Sequence, residues 1–303
     1  MQVPYRHEHA SIASDVTVAI PAKNTERTLA ECLRTVFDMK PAPGHVIVLN
    51  DHSTDNTAPI ARELGATVVD IKGQGGLGNS RNTGIALCET RYVAFINADC
   101  YPNPDWLVTS LKIIRASGAA VVGGRQVELR DSTLAERWKA SHLRQDLGPQ
   151  PVSDPDYLSG GNLLIDLSLI GEIRFGGGYK IAYEDVDFCR KLRAAGGSLY
   201  YEPQAVIGHD HKETLRSLPA KVWSYGVFSR SVGPVSGRRD AIRAFIQMHR
   251  RPHDQVRQAF VDDVRNRRAL FTLVDLYLFL GSLWLFLTRT PDNSNYRVPA
   301  ASS

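Results

Sequence analysis

Asp99 closes the segment Phe95-Ile96-Asn97-Ala98-Asp99, which follows directly on the apolar run Tyr92-Val93-Ala94-Phe95-Ile96. A short apolar run that turns polar reads as a buried strand ending at the rim of a sheet. Ligands of open α/β sheets bind outside the carboxyl ends of the strands. A carboxylate there can hold a divalent metal, and the metal can hold a phosphate. Taken alone, Asp99 reads more simply as a solvated loop residue that starts a turn.

Other residues with chemical capacity fall at similar points. In Asn50-Asp51-His52-Ser53-Thr54-Asp55-Asn56-Thr57, Asp51 can accept from a nucleobase N–H, while Ser53 or Asp55 can cap a following helix. The stretch from Lys72 to Gly84 places glycines before a helix, where backbone and helix N-terminus favour phosphate. Arg81 within it can reach a diphosphate or a surface carboxylate. The contained Gly73-Gln74-Gly75-Gly76-Leu77-Gly78 fits G-x-G-x-x-G, but it follows the third strand rather than the first and lacks the usual downstream acid. Glu184, Asp185 and Asp187 open a helical stretch, where the dipole favours acids. His209 and His211 stand two apart, so on a strand they share a face.

The elements that must position these residues alternate. Apolar strands at Val16–Ile20, Val46–Leu49, Thr67–Ile71, Tyr92–Ile96 and Ala119–Gly123 are separated by helical patterns at Thr25–Phe37, Asn56–Leu64, Gly78–Cys88 and Trp106–Ala116. Leu29, Cys32, Leu33 and Val36 carry the i, i+3, i+4, i+7 spacing of one helix face. Such alternation predicts an α/β fold with a parallel sheet covered on both faces by helices. Downstream, Ser132–Gln145 and Tyr183–Ala195 look helical, Leu158–Leu167 and Ser198–Tyr201 extended, and the chain from Leu215 helical. The expected organisation is a tail over 1–14, one half-domain over 15–124, a second over 125–230, and a helical extension over 231–303.

Composition narrows the class. The 303 residues are 43% hydrophobic and 22% charged with a net charge of +4, ordinary values that exclude global disorder. Four scattered cysteines without zinc or redox spacing suggest reduced thiols and a cytoplasmic protein. The first residues carry no apolar run of the kind a secretory signal needs. Arg and Lys outnumber acids between Leu215 and Arg268, yet no nucleic-acid motif accompanies them, so no nucleic acid is expected as partner. The apolar stretch 269–287 approaches the roughly 20 residues that span a bilayer, with Asp275 inside it costly in lipid. Three uses stay open for it: a helix in or on a membrane, a helix packed on the rest of the chain, or a homodimer interface. Arg238–Arg268 as a basic face on an anionic membrane surface favours peripheral attachment at the inner face over a span.

In order and spacing the clusters resemble family 2 glycosyltransferases of the GT-A fold, and the resemblance implies a Rossmann-like, mostly parallel sheet flanked by helices. Ile20-Pro21-Ala22-Lys23-Asn24 is similar to the family's I-P-x-x-N start, the Asn50–Thr57 segment to D-D-x-S-x-D-x-T, the Gly76–Gly84 segment to G-x-x-x-A-R-N-x-G, and Asn97-Ala98-Asp99 to D-x-D. Gly160-Gly161-Asn162 and Glu184-Asp185-Val186-Asp187 look like its G-G-N and E-D-x-D motifs. The resemblance covers about 15–230 and implies an inverting transfer of sugar from a nucleotide-diphosphate donor to a glycan, lipid-linked or small-molecule acceptor, assisted by Mn or Mg. It implies donor contacts at Pro21, Ala22, Asn24, Asp51, Arg81, Asn97, Gly161 and Asn162, and metal ligation by Asp99 with His211 or His209. It makes Asp185 the general base, with Glu184 orienting the base or the acceptor. Phe175-Gly176-Gly177-Gly178-Tyr179 reads as a flexible loop beside the acceptor. Two positions depart from the pattern, Asn50 and Asn97 standing where the family has Asp. They leave open a catalytically weakened relative that binds nucleotide-sugar, and a sugar nucleotidyltransferase is a more distant alternative.

Overall fold

Seven consecutive buried residues form the first strand, β1 (Val16–Ala22). Burial on both faces explains why the run does not alternate with polar residues. The protein is described from a computed structural model, covering residues 14–177, 183–228 and 255–288, with 239, 242, 243, 245 and 246. The N-terminal tail, Gly178, Tyr179 and most of the basic stretch before 255 therefore lie outside the described residues.

β2 (His45–Asn50), β3 (Thr67–Asp70) and β4 (Tyr92–Ile96) complete a parallel block with β1, in which β1 pairs with both β2 and β4, and β2 with β3. The helices between them are α1 (Leu29–Phe37), α2 (Thr57–Glu63) and α3 (Leu77–Leu87). The predicted face of α1, with Leu29, Cys32, Leu33 and Val36, is buried. Then follow β5 (Cys100–Pro102), α4 (Trp106–Ser117), β6 (Val121–Glu128), α5 (Leu134–His142), β7 (Val152–Ser153), β8 (Asn162–Asp166), α6 (Leu167–Ile170), α7 (Glu184–Ala194) and β9 (Leu199–His209). The sheet order is β3-β2-β1-β4-β8-β6-β9-β5, with β7 on β9. Beyond β4 the strands join antiparallel, β8 to β4 and β6, and β5 to β9. In β4, Tyr92, Ala94 and Ile96 enter one hydrophobic cluster while Val93 and Phe95 enter the other. That period of two is what a sheet covered on both faces requires.

Chain contacts divide the protein into two units, Met1–Val127 with Gln145–Asp210, and Glu128–Arg144 with His211–Ser303. The first holds the sheet. The second is helical, with α5, α8 (Leu218–Phe228), α9 (Gln255–Arg265) and α10 (Ala269–Thr288). Thr133 and Glu136 form a reciprocal capping box at the start of α5. Within this unit Trp138 Nε1 donates to Asp275 Oδ1 at 2.7 Å. Asp275 is thus the hydrogen-bonded aspartate that a protein-packed helix needs. Its burial pushes the carboxyl up to about 7. His142 Nε2 lies 2.9 Å from the fully buried Asp263 Oδ2.

Candidate active site at the sheet rim

Antiparallel pairing of β5 with β9 sets Cys100 opposite His209, and Asp210 N–H donates to the Asp99 carbonyl at 2.8 Å. Asp99 and His209 therefore stand side by side, with His209 Nε2 at 3.5 Å from Asp99 Oδ2. With His211, ligand atoms of the three side chains lie within 4.8 Å of one another. Asp210 is fixed below them by the Tyr101 hydroxyl, which donates at 3.0 Å, and by Arg27 at 3.4 Å. One carboxylate and two imidazoles form a mixed oxygen and nitrogen donor set that fits Mn and other first-row divalent ions.

The turn before Asp99 is held from α3. Arg81 Nη2 donates to Asn97 Oδ1 at 3.1 Å, and Arg81 Nη1 donates to Glu184 Oε1. Arg81 also lies over the Phe175 ring, 5.5 Å from its centroid. Burial raises the Glu184 carboxyl above its ordinary range; the Arg81 guanidinium acts against this and the Asp185 charge with it. Gly160 and Gly161 allow the close approach, since a Cβ at Gly160 would lie 2.8 Å from Arg81 Cζ and one at Gly161 2.6 Å from Asn97 Nδ2. Next to this pair, Asp185 Oδ2 accepts from Gly160 N–H at 2.9 Å and Oδ1 from Val186 N–H at 2.8 Å. Both carboxylate oxygens are oriented by backbone donors.

Asp51 follows β2 and accepts from Gly76 N–H at 2.9 Å, with His52 Nδ1 at 2.9 Å. Burial alone would raise this carboxyl, but the His52 and Gly76 hydrogen bonds and the Lys23 charge hold it below the usual range. Asn50 Nδ2 donates to Asp70 Oδ1 at 2.7 Å. Asn24, at positive φ, accepts from Thr54 N–H at 2.8 Å and joins the β1 and β2 ends. The N-cap of α2 is Asn56, and Asp55 just before it accepts from Thr57 N–H through Oδ1 at 3.0 Å.

The profile of "Glycosyl transferase family 2" matches residues 17–173, more than half of the chain. The chain belongs to glycosyl transferase family 2. It is 31% identical over 224 residues to a pre-mycofactocin glycosyltransferase of Mycobacterium tuberculosis, covering 70% of this chain and 46% of that protein. The chain thus spans about half the length of that relative. It is 26% identical over 204 residues to glycosyltransferase AglE of Haloferax volcanii, covering 64% of this chain and 66% of AglE. Among solved structures, the mannosyltransferase PcManGT of Pyrobaculum calidifontis, in complex with GDP-Man and Mn2+, superposes with TM-score 0.58 at 14% identity, over 89% of this chain and 87% of that one. S. aureus TarS 1-349 with UDP-GlcNAc gives 0.55 at 17% identity, over 81% and 70%. At these identities the likeness concerns the fold.

Within the family 2 frame, Asp99, His209 and His211 come together, as do Arg81, Asn97, Glu184 and, through Gly160, Asp185. Pro21 and Ala22 are buried at the end of β1, paired with Leu49 and Asn50. Asn162 is placed in the core: it is fully buried, accepts from Trp106 Nε1 at 2.7 Å and donates to the Arg125 and Ala205 carbonyls. The neighbouring Gly161 carbonyl instead meets the rim, accepting from Asn97 N–H at 3.4 Å. Arg81 is not a surface residue either, since the ion pair encloses it. Phe175 departs from the expectation of a flexible loop. It is buried, stacks on Phe188 at 4.2 Å, and both its backbone N–H and carbonyl are bound by the Asn82 amide. Asp70 was not singled out in the sequence, although its place at the end of β3, in register with Asn50, was a usable signal.

Proposed function

We propose that this family 2 protein is an inverting glycosyltransferase that moves a sugar from a nucleotide-diphosphate donor to an acceptor hydroxyl of a glycan, polyprenyl-linked or small-molecule acceptor. One arrangement carries the reading. Asp185 is oriented through Gly160 beside the Arg81–Glu184 pair, and the same hydrogen-bonded series continues through Asn97 to the turn that bears Asp99. A carboxylate suited to deprotonation and a ligand cluster suited to the leaving group thus belong to one connected series, which supports the reading.

In the proposed reaction the acceptor oxygen attacks the anomeric carbon opposite the bond to the diphosphate. Asp185 takes the hydroxyl proton, the new C–O bond forms, and the electrons of the broken bond pass to the diphosphate. Glu184 stays tied to Arg81 and holds the N-terminus of α7 in place. Asp51, already oriented by Gly76 N–H, offers its carboxylate to a nucleobase N–H, and Asn24 and Asp51 together shape that end of the donor site. Asp99, His209 and His211 would hold a divalent ion, which when bound supplies positive charge for the departing diphosphate. That the solved relatives carry UDP-GlcNAc, or GDP-Man with Mn2+, supports this reading.

Thermal-shift binding against UDP-, GDP- and dTDP-sugars, followed by donor turnover with and without Mn2+, tests it. Stabilisation by one nucleotide-sugar class and Mn2+-dependent turnover are expected. Binding without turnover on any acceptor or water would instead make the chain a nucleotide-sugar-binding relative.

A further inference from the structure

The long apolar helix α10 has two unlike faces. Val274, Asp275, Leu278, Ser282 and Phe286 are buried within the helical unit. On the opposite side Leu270, Leu273, Tyr277, Leu280 and Trp284 are between 43% and 66% exposed. Their spacing of three and four keeps them on one stripe. Continued to Leu287, the stripe is about 26 Å long at the rise of an α-helix. Single exposed leucines need no explanation, but a continuous row of large apolar side chains marks a docking surface. On the neighbouring α9, Phe260, Val261 and Val264 add to the exposed apolar area.

The charges around the stripe say what covers it. Across residues 255–288 the exposed charged residues are Arg257, Arg265, Arg267 and Arg268 against Asp262 alone, because Asp263 and Asp275 are buried. Arg265 ends α9, and Arg267 and Arg268 sit in the connection that leads into α10, so three of the four arginines gather at one end of the stripe. Leucines and a tryptophan beside this excess of guanidinium groups, of which Arg268 also pairs with Asp263 at 3.5 Å, complement an acyl boundary topped by phosphate. A second copy of this chain would bring the same excess of cations rather than its complement.

We propose that the α9–α10 hairpin lies on an anionic lipid bilayer, with the leucine and tryptophan stripe in the interface and the arginines on lipid phosphates. The helix lies along the surface rather than across the bilayer. By length and composition α10 alone could span, but its buried face is engaged by the helical unit, and Asp275 would have to leave Trp138 to enter hydrocarbon. The inference does not depend on the glycosyl-transfer chemistry proposed above.

The test is co-sedimentation of the full chain with phosphatidylcholine vesicles and with vesicles carrying about one-quarter phosphatidylglycerol, at low and high salt. Binding to the anionic vesicles should exceed binding to neutral ones by about tenfold or more, and fall as salt is raised. The double variant Leu280→Glu/Trp284→Glu should lose vesicle binding while keeping its thermal unfolding transition. Should that variant fold poorly, Arg265→Gln/Arg267→Gln, which alters only exposed side chains, should still remove the preference for anionic vesicles. Equal binding to both vesicle types, or to neither, overturns the proposal. So does incorporation that resists alkaline carbonate, which would mean a span. A dimer in light scattering that Leu280→Glu/Trp284→Glu abolishes would give the face to a second copy instead.

Discussion

Arg81 and Glu184 lie 103 positions apart in the sequence and form an ion pair whose side chains are only 1% and 3% exposed. The pair joins the second turn of α3 to the first turn of α7, so one contact binds the helix that follows the glycine-rich segment to the helix that carries Asp185. Arg81→Met would leave Glu184 buried without its counter-charge, and removing one partner of a buried pair costs about 3–5 kcal/mol. Urea unfolding should report a loss of that size, and Arg81→Lys should recover part of it. A loss no larger than for an exposed ion pair would show that the contact does not hold these helices together.

Asp185→Asn keeps the shape of the side chain but removes its capacity to take a proton. Turnover should fall by about 10²–10⁴-fold, while the thermal shift given by the nucleotide-sugar donor stays unchanged. Normal turnover would remove Asp185 from the role of base.

Asp99→Asn should abolish the stabilisation that Mn2+ gives in a thermal melt, and His209→Ala should weaken it. Both readouts are free of turnover, so they report the ion itself. An unchanged Mn2+ response in Asp99→Asn would place the ion elsewhere.

Asp275 carries a pH signature. Its carboxyl is pushed up to about 7 in the fold by burial, against about 4 for an aspartate in an unfolded chain. The folded state therefore holds the proton more tightly. Its contribution is fully present below about pH 4 and is lost as pH rises through about 7. Asp275→Asn still accepts from Trp138 but does not titrate, so wild type minus variant should show stability falling across that window and level above it. His142, whose ring burial holds below its ordinary value, acts in the opposite sense and is common to both proteins. A flat difference would mean that Asp275 is ionised in the fold.

The parallel block was legible because each strand is a short apolar run and each helix has its own period, so local sequence determines them. The antiparallel half was less so. β9 extends through Glu202 and Pro203, polar and ring residues that end the apolar pattern after Tyr201, and its partner β5 is only three residues long. No local signal announces that Cys100 will face His209, yet this pairing brings the metal candidates together. Phe175 looked mobile because glycines follow it, but the aromatic contacts that bury it come from distant elements. Asn162 belonged to a recognisable motif, and only the placement of Trp106 shows that its amide serves the core.

The register of β4 against β8 sets Ile96 opposite Asn162. One strand leaves the sheet where the other enters it, so the 97–99 turn and the 160–161 turn grow from a shared last rung. Drift in the proline-rich connection before β8 can be absorbed without disturbing that rung. A single residue inserted in either turn cannot, since it would separate Asp99 from Asp185 along the hydrogen-bonded series that joins them. Variation among related sequences should therefore collect in the connection and be nearly absent, in length, from the two turns.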